Sequence, residues 1–123
     1  MSVKLRKSVS SVKKHIVVVL TEPVEGREDE YNDYYENLHL REVLETTGWD
    51  NAQRFRLVDQ QGLECPHQYL AYYETEAENS AEILERLNKT RSDRVQSDAL
   101  NYKTAGLWVF EETGPRHEPP AES

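Results

Sequence analysis

Two short runs near opposite ends of the chain, residues 16–20 (IVVVL) and 107–110 (LWVF), are apolar at every position. Both are rich in β-branched or aromatic side chains and too short for a stable helix, so each reads as a strand. Successive residues of a strand point to opposite faces. Both strands are therefore apolar on both sides, and any sheet that contains them has two faces to cover. That requirement limits the folds open to this chain more than any other feature.

The segments between the two runs fall into a clear order. The first strand is expected at residues 15–20, followed by a loop at 21–26 that holds Pro23 and Gly26. Residues 27–47 have helical character. Tyr31, Tyr34, Tyr35, Leu38 and Glu42 recur at spacings of three and four. Glu28, Asp29 and Glu30 suit the positive end of the helix dipole, and Gly48 suits the stop. Residues 49–58 alternate, with Gln53, Phe55 and Leu57 on one side and Arg54 and Arg56 on the other. Residues 68–75 (QYLAYYET) form a third strand, in which Tyr69 and Tyr73 share a face and Tyr72 takes the other. A second amphipathic helix, capped by Asn79 or Ser80, spans 80 to about 94 through Ile83, Leu84 and Leu87. Residues 103–111 give the last strand.

The order is β-α-β-β-α-β, which predicts an α+β fold of the ferredoxin-like kind with a four-stranded antiparallel sheet. Two helices cover one face only. The simplest cover for the other is the same face of a second copy, so a homodimer is expected.

Composition narrows the function classes. At 123 residues the chain has room for one domain, expected at 14–112. A basic arm (1–13) is expected before it and a proline-containing tail (113–123) after it. A short targeting segment is the sharper alternative for the arm. With 15 basic and 23 acidic residues the net charge is −8, which disfavours nucleic acid as a partner. The longest apolar run is far short of a membrane span, so no membrane partner and a cytoplasmic location are expected. One cysteine, Cys65, excludes an internal disulfide and a cysteine-based zinc cage. Glu36, His39 and Glu42 are spaced three apart, but their directions on a helical wheel spread over about 120 degrees, so no metal site is expected.

Residues 28–49 (EDEYNDYYENLHLREVLETTGW) with 52–56 (AQRFR) resemble the dimeric α/β-barrel superfamily, in particular its EthD-like and antibiotic-biosynthesis-monooxygenase-like small proteins. Residues 66–74 (PHQYLAYYE), 97–100 (SDAL) and 108–111 (WVFE) extend the likeness to about residues 14–112. Two positions depart from the family pattern: Arg41 stands where a proline is usual and Tyr34 where a tryptophan is frequent. The resemblance implies a pocket between sheet and helices in each protomer, acting on a small aromatic or polyketide-like substrate. It also implies that the histidine of the first helix, His39 here, carries the chemistry.

His39 lies 80 to 100 degrees from the centre of the tyrosine face on an α-helical wheel, within reach of a pocket edge. An imidazole there can serve as general acid or base. Seven of the eleven aromatic residues are tyrosines, which combine an apolar ring with one polar handle. A phenol can donate to a developing oxyanion. The expected catalytic set is His39, Tyr35 and Tyr72. The expected substrate-binding set is Tyr31, Asn32, Leu38, Phe55, Tyr73 and Trp108. No cofactor is expected. The reaction expected is a cyclisation, dehydratation or decarboxylation of lyase or isomerase type. A cofactor-free monooxygenase and a non-catalytic ligand-binding or stress-associated dimer are the alternatives. Arg54 and Arg56 are expected in surface or interface ion pairs, and His67 is expected to be exposed.

Overall fold

The computed structural model describes residues 11–121. Most of the expected basic arm, and the last two residues of the tail, lie outside the described residues. Strand β1 (Lys13–Thr21) is followed by helix α1 (Glu28–Tyr34), a π-helical turn (Tyr35–His39) and helix α2 (Leu40–Thr47). Then come β2 (Asn51–Arg56), β3 (Tyr69–Ala77), α3 (Ser80–Lys89) and β4 (Gly106–Glu111), with short 3-10 turns at Arg91–Asp93 and Tyr102–Thr104. The four strands form one sheet in the order β2-β3-β1-β4, every neighbouring pair antiparallel. This is the ferredoxin-like βαββαβ arrangement that the order of signals predicts.

Register assigns each strand residue to a face. Val17 lies opposite Tyr73 on one side and Val109 on the other, so these three share a face. His15, Val19, Thr21, Ala71, Thr75, Leu107 and Arg54 belong to the same face by the period of two. It is the helix-covered face: Val17, Tyr31, Tyr35, Val43, Tyr73 and Ile83 form the centre of the core, each at most 3% exposed. Burying an apolar side chain of this size contributes about 1.5–3 kcal/mol.

The opposite face carries Ile16, Val18, Leu20, Leu70, Tyr72, Phe55, Trp108 and Phe110. Among the described residues no helix covers it. Phe55, Trp108 and Phe110 remain 44–53% exposed. The sheet is thus apolar on both sides and covered on one.

Local signals explain the helix ends. Arg27 precedes α1 without a side-chain cap, and Glu28, Asp29 and Glu30 supply negative charge at its first turn instead. Gly48 stops α2 in the left-handed region (φ 78°), where its N–H reaches the Leu44 carbonyl at 2.9 Å. Asn79 caps α3 by accepting from the Glu82 N–H at 3.0 Å. That helix stops at Lys89, short of the expected residue 94, so Arg94 can turn inward and is 7% exposed. Leu84, expected on the buried side of this helix, is 39% exposed.

On the open face the outer edge of the Trp108 benzo ring lies against Gly106, where an added methyl group would collide with it. Gly106→Ala is therefore expected to swing Trp108 off β4 and lower the melting temperature. A shift in tryptophan fluorescence with an unchanged far-ultraviolet spectrum is the sign to look for. An unaltered emission and melting temperature would count against this packing.

Candidate functional site

The first long helix is not α-helical throughout. At its middle the Leu40 N–H donates to the Tyr35 carbonyl, five residues back, where an α-helix would reach four back. One extra residue per turn delays the following residues by about 100 degrees of rotation. His39, off the tyrosine face on an α-helical wheel, is carried back over it. Its ring lies 5.0 Å from Tyr34, nearly parallel, and 5.0 Å from Tyr35, edge-on. The same rotation takes Leu38 the other way. It packs at the edge of the core beside Tyr34, Asn37 and Val95, away from His39's pocket.

The polar contacts of His39 fix its tautomer. The Tyr34 hydroxyl has one proton and donates it to the Val95 carbonyl at 2.7 Å. It therefore accepts from His39 Nδ1–H at 3.0 Å. Nε2 is left as an unprotonated acceptor, with no partner among the described residues.

Beside His39 lies a cavity of about 250 Å³, between β1, β3 and β4 and the helical layer. Its apolar wall includes Val17, Val19, Val43, Trp49, Leu87 and Leu107. Its polar groups are His39, Tyr35, Tyr73, Arg91, Arg94, Gln96 and Tyr102, with Thr21 at one end. A cavity of about 150 Å³ already holds benzene, so this one has room for a substituted single ring. The Tyr73 hydroxyl makes no hydrogen bond among the described residues. Arg94 Nε is the only sealed, unpartnered side-chain polar atom there, so the Tyr73 hydroxyl opens on the cavity.

Burial and charge set the protonation of these groups. Burial, then the charges of Arg94 and Arg91, push the His39 imidazole down from 6.5 to about 4. Burial raises the Tyr35 and Tyr73 phenols above the usual range, and each is raised further by a neighbouring tyrosine. Near neutral pH the cavity thus presents a neutral imidazole and protonated phenols. Arg94 is held by Thr46, Thr90 and the Leu87 carbonyl at 2.8–3.0 Å. Its first-order perturbation is burial, which lowers its pKa.

The expected site residues divide between two places. His39, Tyr35 and Tyr73 come together at the cavity. Tyr31 lies just behind, its hydroxyl paired with Thr21 at 2.5 Å and its ring edge-on to Tyr35 at 5.5 Å. Tyr72, Phe55 and Trp108 lie on the open face of the sheet, on the far side from His39, because Tyr72 and Trp108 pair with Val18 and Phe55 pairs through Leu70 with Leu20, whereas Tyr73 pairs with Val17 on the covered face. The Tyr72 hydroxyl is taken by Glu74. Asn32 accepts from Arg54 at 2.9 Å and donates to the Tyr69 hydroxyl, so it works as a bracket between helix and sheet.

Arg54 itself is not on the surface. Its side chain is 6% exposed, paired with Glu36 at 3.2 Å, with the guanidinium 4.6–5.4 Å from the rings of Tyr31, Tyr35 and Tyr69. Arg54 makes the expected ion pair, but not at the surface, because β2 places it on the helix-covered side. Glu36 is therefore turned toward Arg54, and Glu42 accepts from the Val95 N–H at 2.8 Å. His67 is also drawn in: its side chain is 12% exposed and its Nε2 lies 2.7 Å from the Thr104 carbonyl. The residues that sequence reasoning missed at the cavity are Arg91, Arg94, Gln96 and Tyr102. All follow α3, in a stretch whose path no periodicity describes.

Compared with known families, curated proteins and solved structures, the chain gives no significant match. Among the described residues no helix is long and apolar enough to cross a membrane.

The lowered pKa of His39 has a consequence for stability. Between about pH 6.5 and 4 the unfolded chain binds a proton at His39 that the folded chain does not, so stability falls as pH falls through that window. His39→Gln removes this term. Urea unfolding at pH 7 and pH 5 is expected to show a smaller acid-side loss in the variant than in the parent. Equal losses would contradict the burial of a neutral imidazole.

Proposed function

We propose that the chain is a cofactor-independent enzyme of lyase or isomerase type, working by proton transfer on a small aromatic or polyketide-like molecule bound in this cavity. The observation that carries the proposal is the arrangement at His39. An unprotonated Nε2 with no partner among the described residues stands beside a cavity that Tyr35 and Tyr73 also line. On this reading Nε2 takes a proton from a C–H or O–H made acidic by a neighbouring carbonyl. A phenol that keeps its proton donates to the oxygen on which charge accumulates. Tyr34 holds the imidazole through Nδ1, so the accepting nitrogen is fixed before substrate arrives.

Phenylpyruvate and benzoylacetone are suitable probes, because both carry an enolisable C–H. In D₂O the parent is expected to speed deuterium entry at that carbon, followed by NMR. His39→Gln is expected to lose at least about 100-fold of that effect, the low end for a positioned general base. Equal rates in parent and variant would remove His39 from the chemistry. The low basicity of His39 favours a second reading, in which the cavity binds a ligand without transforming it. It predicts that the probes bind and that exchange runs at the solution rate.

The second part of the proposal is quaternary. The uncovered apolar face of the sheet suits the same face of a second copy, giving the dimeric α/β barrel that the sequence resembles. Sedimentation at micromolar concentration is expected to give twice the protomer mass of 14.3 kDa. Phe110→Glu, which places a carboxylate on that face, is expected to give the single mass with an intact far-ultraviolet spectrum. A parent that sediments as one subunit would sink this part.

A further inference from the structure

Acids outnumber bases in this chain, yet no aspartate or glutamate lines the cavity beside His39. Two arginines do. Arg94, 7% exposed, has no ion pair among the described residues. Its three hydrogen-bonding partners are hydroxyls and a carbonyl, and its Nε has no partner among the described residues. A buried guanidinium normally has a carboxylate; Arg54, the other buried arginine on this face, has Glu36. The nearest acids to Arg94 do not take that part. Asp93 is its exposed chain neighbour, and Glu42 is engaged by the Val95 N–H. Arg91 lies at the solvent side of the same cavity. Its guanidinium is 5.9 Å from the Tyr102 ring and forms no ion pair among the described residues. Unpartnered positive charge therefore stands at the rim and behind the wall, with the Tyr73 hydroxyl open between the walls.

We propose that the ligand of this cavity is an anion, a single-ring carboxylic acid, whose carboxylate is taken by Arg91 at the rim while Arg94 supplies a fixed positive field from behind. The inference deepens the reading of the cavity as a substrate site and rests on it. A planar guanidinium with free N–H groups matches a carboxylate with two parallel hydrogen bonds. The apolar wall then receives the ring, and the Tyr73 hydroxyl donates to whatever oxygen the ring carries. Arg94 need not touch the ligand. In a site of low dielectric a charge acts through the wall, and a sealed Nε contributes as well as an open one.

The probes are salicylate and salicylamide, which differ in the charge of one group and hardly in shape. Binding is followed in the full chain through the amide NMR signals of Tyr73, Arg94 and Leu107. Salicylate is expected to bind at least about tenfold more tightly than salicylamide at low salt, with the difference shrinking as salt rises. Arg91→Gln, a change at an exposed position, is expected to abolish most of that preference. Arg94→Lys keeps the buried charge and is expected to retain the preference; Arg94→Gln, if it folds, is expected to reduce it. Equal affinity for acid and amide overturns the proposal. So does a preference that survives Arg91→Gln, or an absence of any cavity shift with salicylate, benzoate and phenylacetate at millimolar concentration. Anion-selective binding without deuterium exchange of the enolisable probes would leave this inference standing and remove the enzymatic reading instead.

Discussion

A four-stranded sheet that is apolar on both faces, with the helices of the described residues packed on one of them, sets the terms for the rest of the structure. Every side chain's role follows from which face it takes. The period of two makes that choice strict: slipping β1 by one residue against β3 and β4 would exchange Val17 and Val19 for Ile16 and Val18. Hydrophobicity alone does not decide between the two registers, since both sets are aliphatic. The polar ends of β1 do. His15 finds Glu111 on β4, and Thr21 finds the Tyr31 hydroxyl on α1, when they lie on the helix side. Thr21 on the open face would leave the buried Tyr31 hydroxyl without that partner, and an unmade buried bond costs about 1–3 kcal/mol.

The π turn is the second determinant, and it depends on the first. A helix laid across the sheet can aim one continuous stripe at it. Here the stripe carries Tyr31 before the turn, Tyr35 at its start, and Val43 and Thr47 after it, all buried. The turn is stabilised by side chains from both layers. Arg54 rises from β2 against Tyr31 and Tyr35, and Glu36 within the turn returns an ion pair to it. On the other side Tyr34 joins His39 to the Val95 carbonyl. Turns of this type are uncommon in helices and recur at functional positions. This one gives His39 an orientation that a regular helix would deny it.

Strand order, helix positions and the uncovered face were all legible in the sequence, because each rests on periodicity or on a cap of known chemistry. Asn79 and Gly48 do what their residue types suggest. The candidate site was only half legible. Tyr35, Tyr73 and His39 meet as expected, but Leu38 does not join them, since no local pattern announces an extra residue in a helical turn. Tyr72, Phe55 and Trp108 were assigned to the pocket by residue type, although the alternation that separates Tyr72 from Tyr73 was already in view. Arg54 was misplaced for a related reason. A cation in an alternating strand suggests solvent, and the three rings that surround it come from β3 and α1, distant in sequence. Arg91 and Arg94 gave no signal, because they enter the cavity from a segment that leaves the helix early.

Charge links Arg91 and Arg94 to His39. After burial, their charges are what make His39 a weak base. Coupling of this kind is reciprocal. A proton on Nε2 and positive charge on the arginines disfavour each other, so a negative group bound between them favours the proton. An anionic substrate would then raise the basicity of the group that acts on it, and a neutral one would not. The buried phenols add nothing against this, since their raised pKa values keep them uncharged donors in both states. Specificity for charge and competence for proton transfer would thus come from a single placement of two arginines, in a cavity from which a strongly acidic chain has kept every carboxylate away.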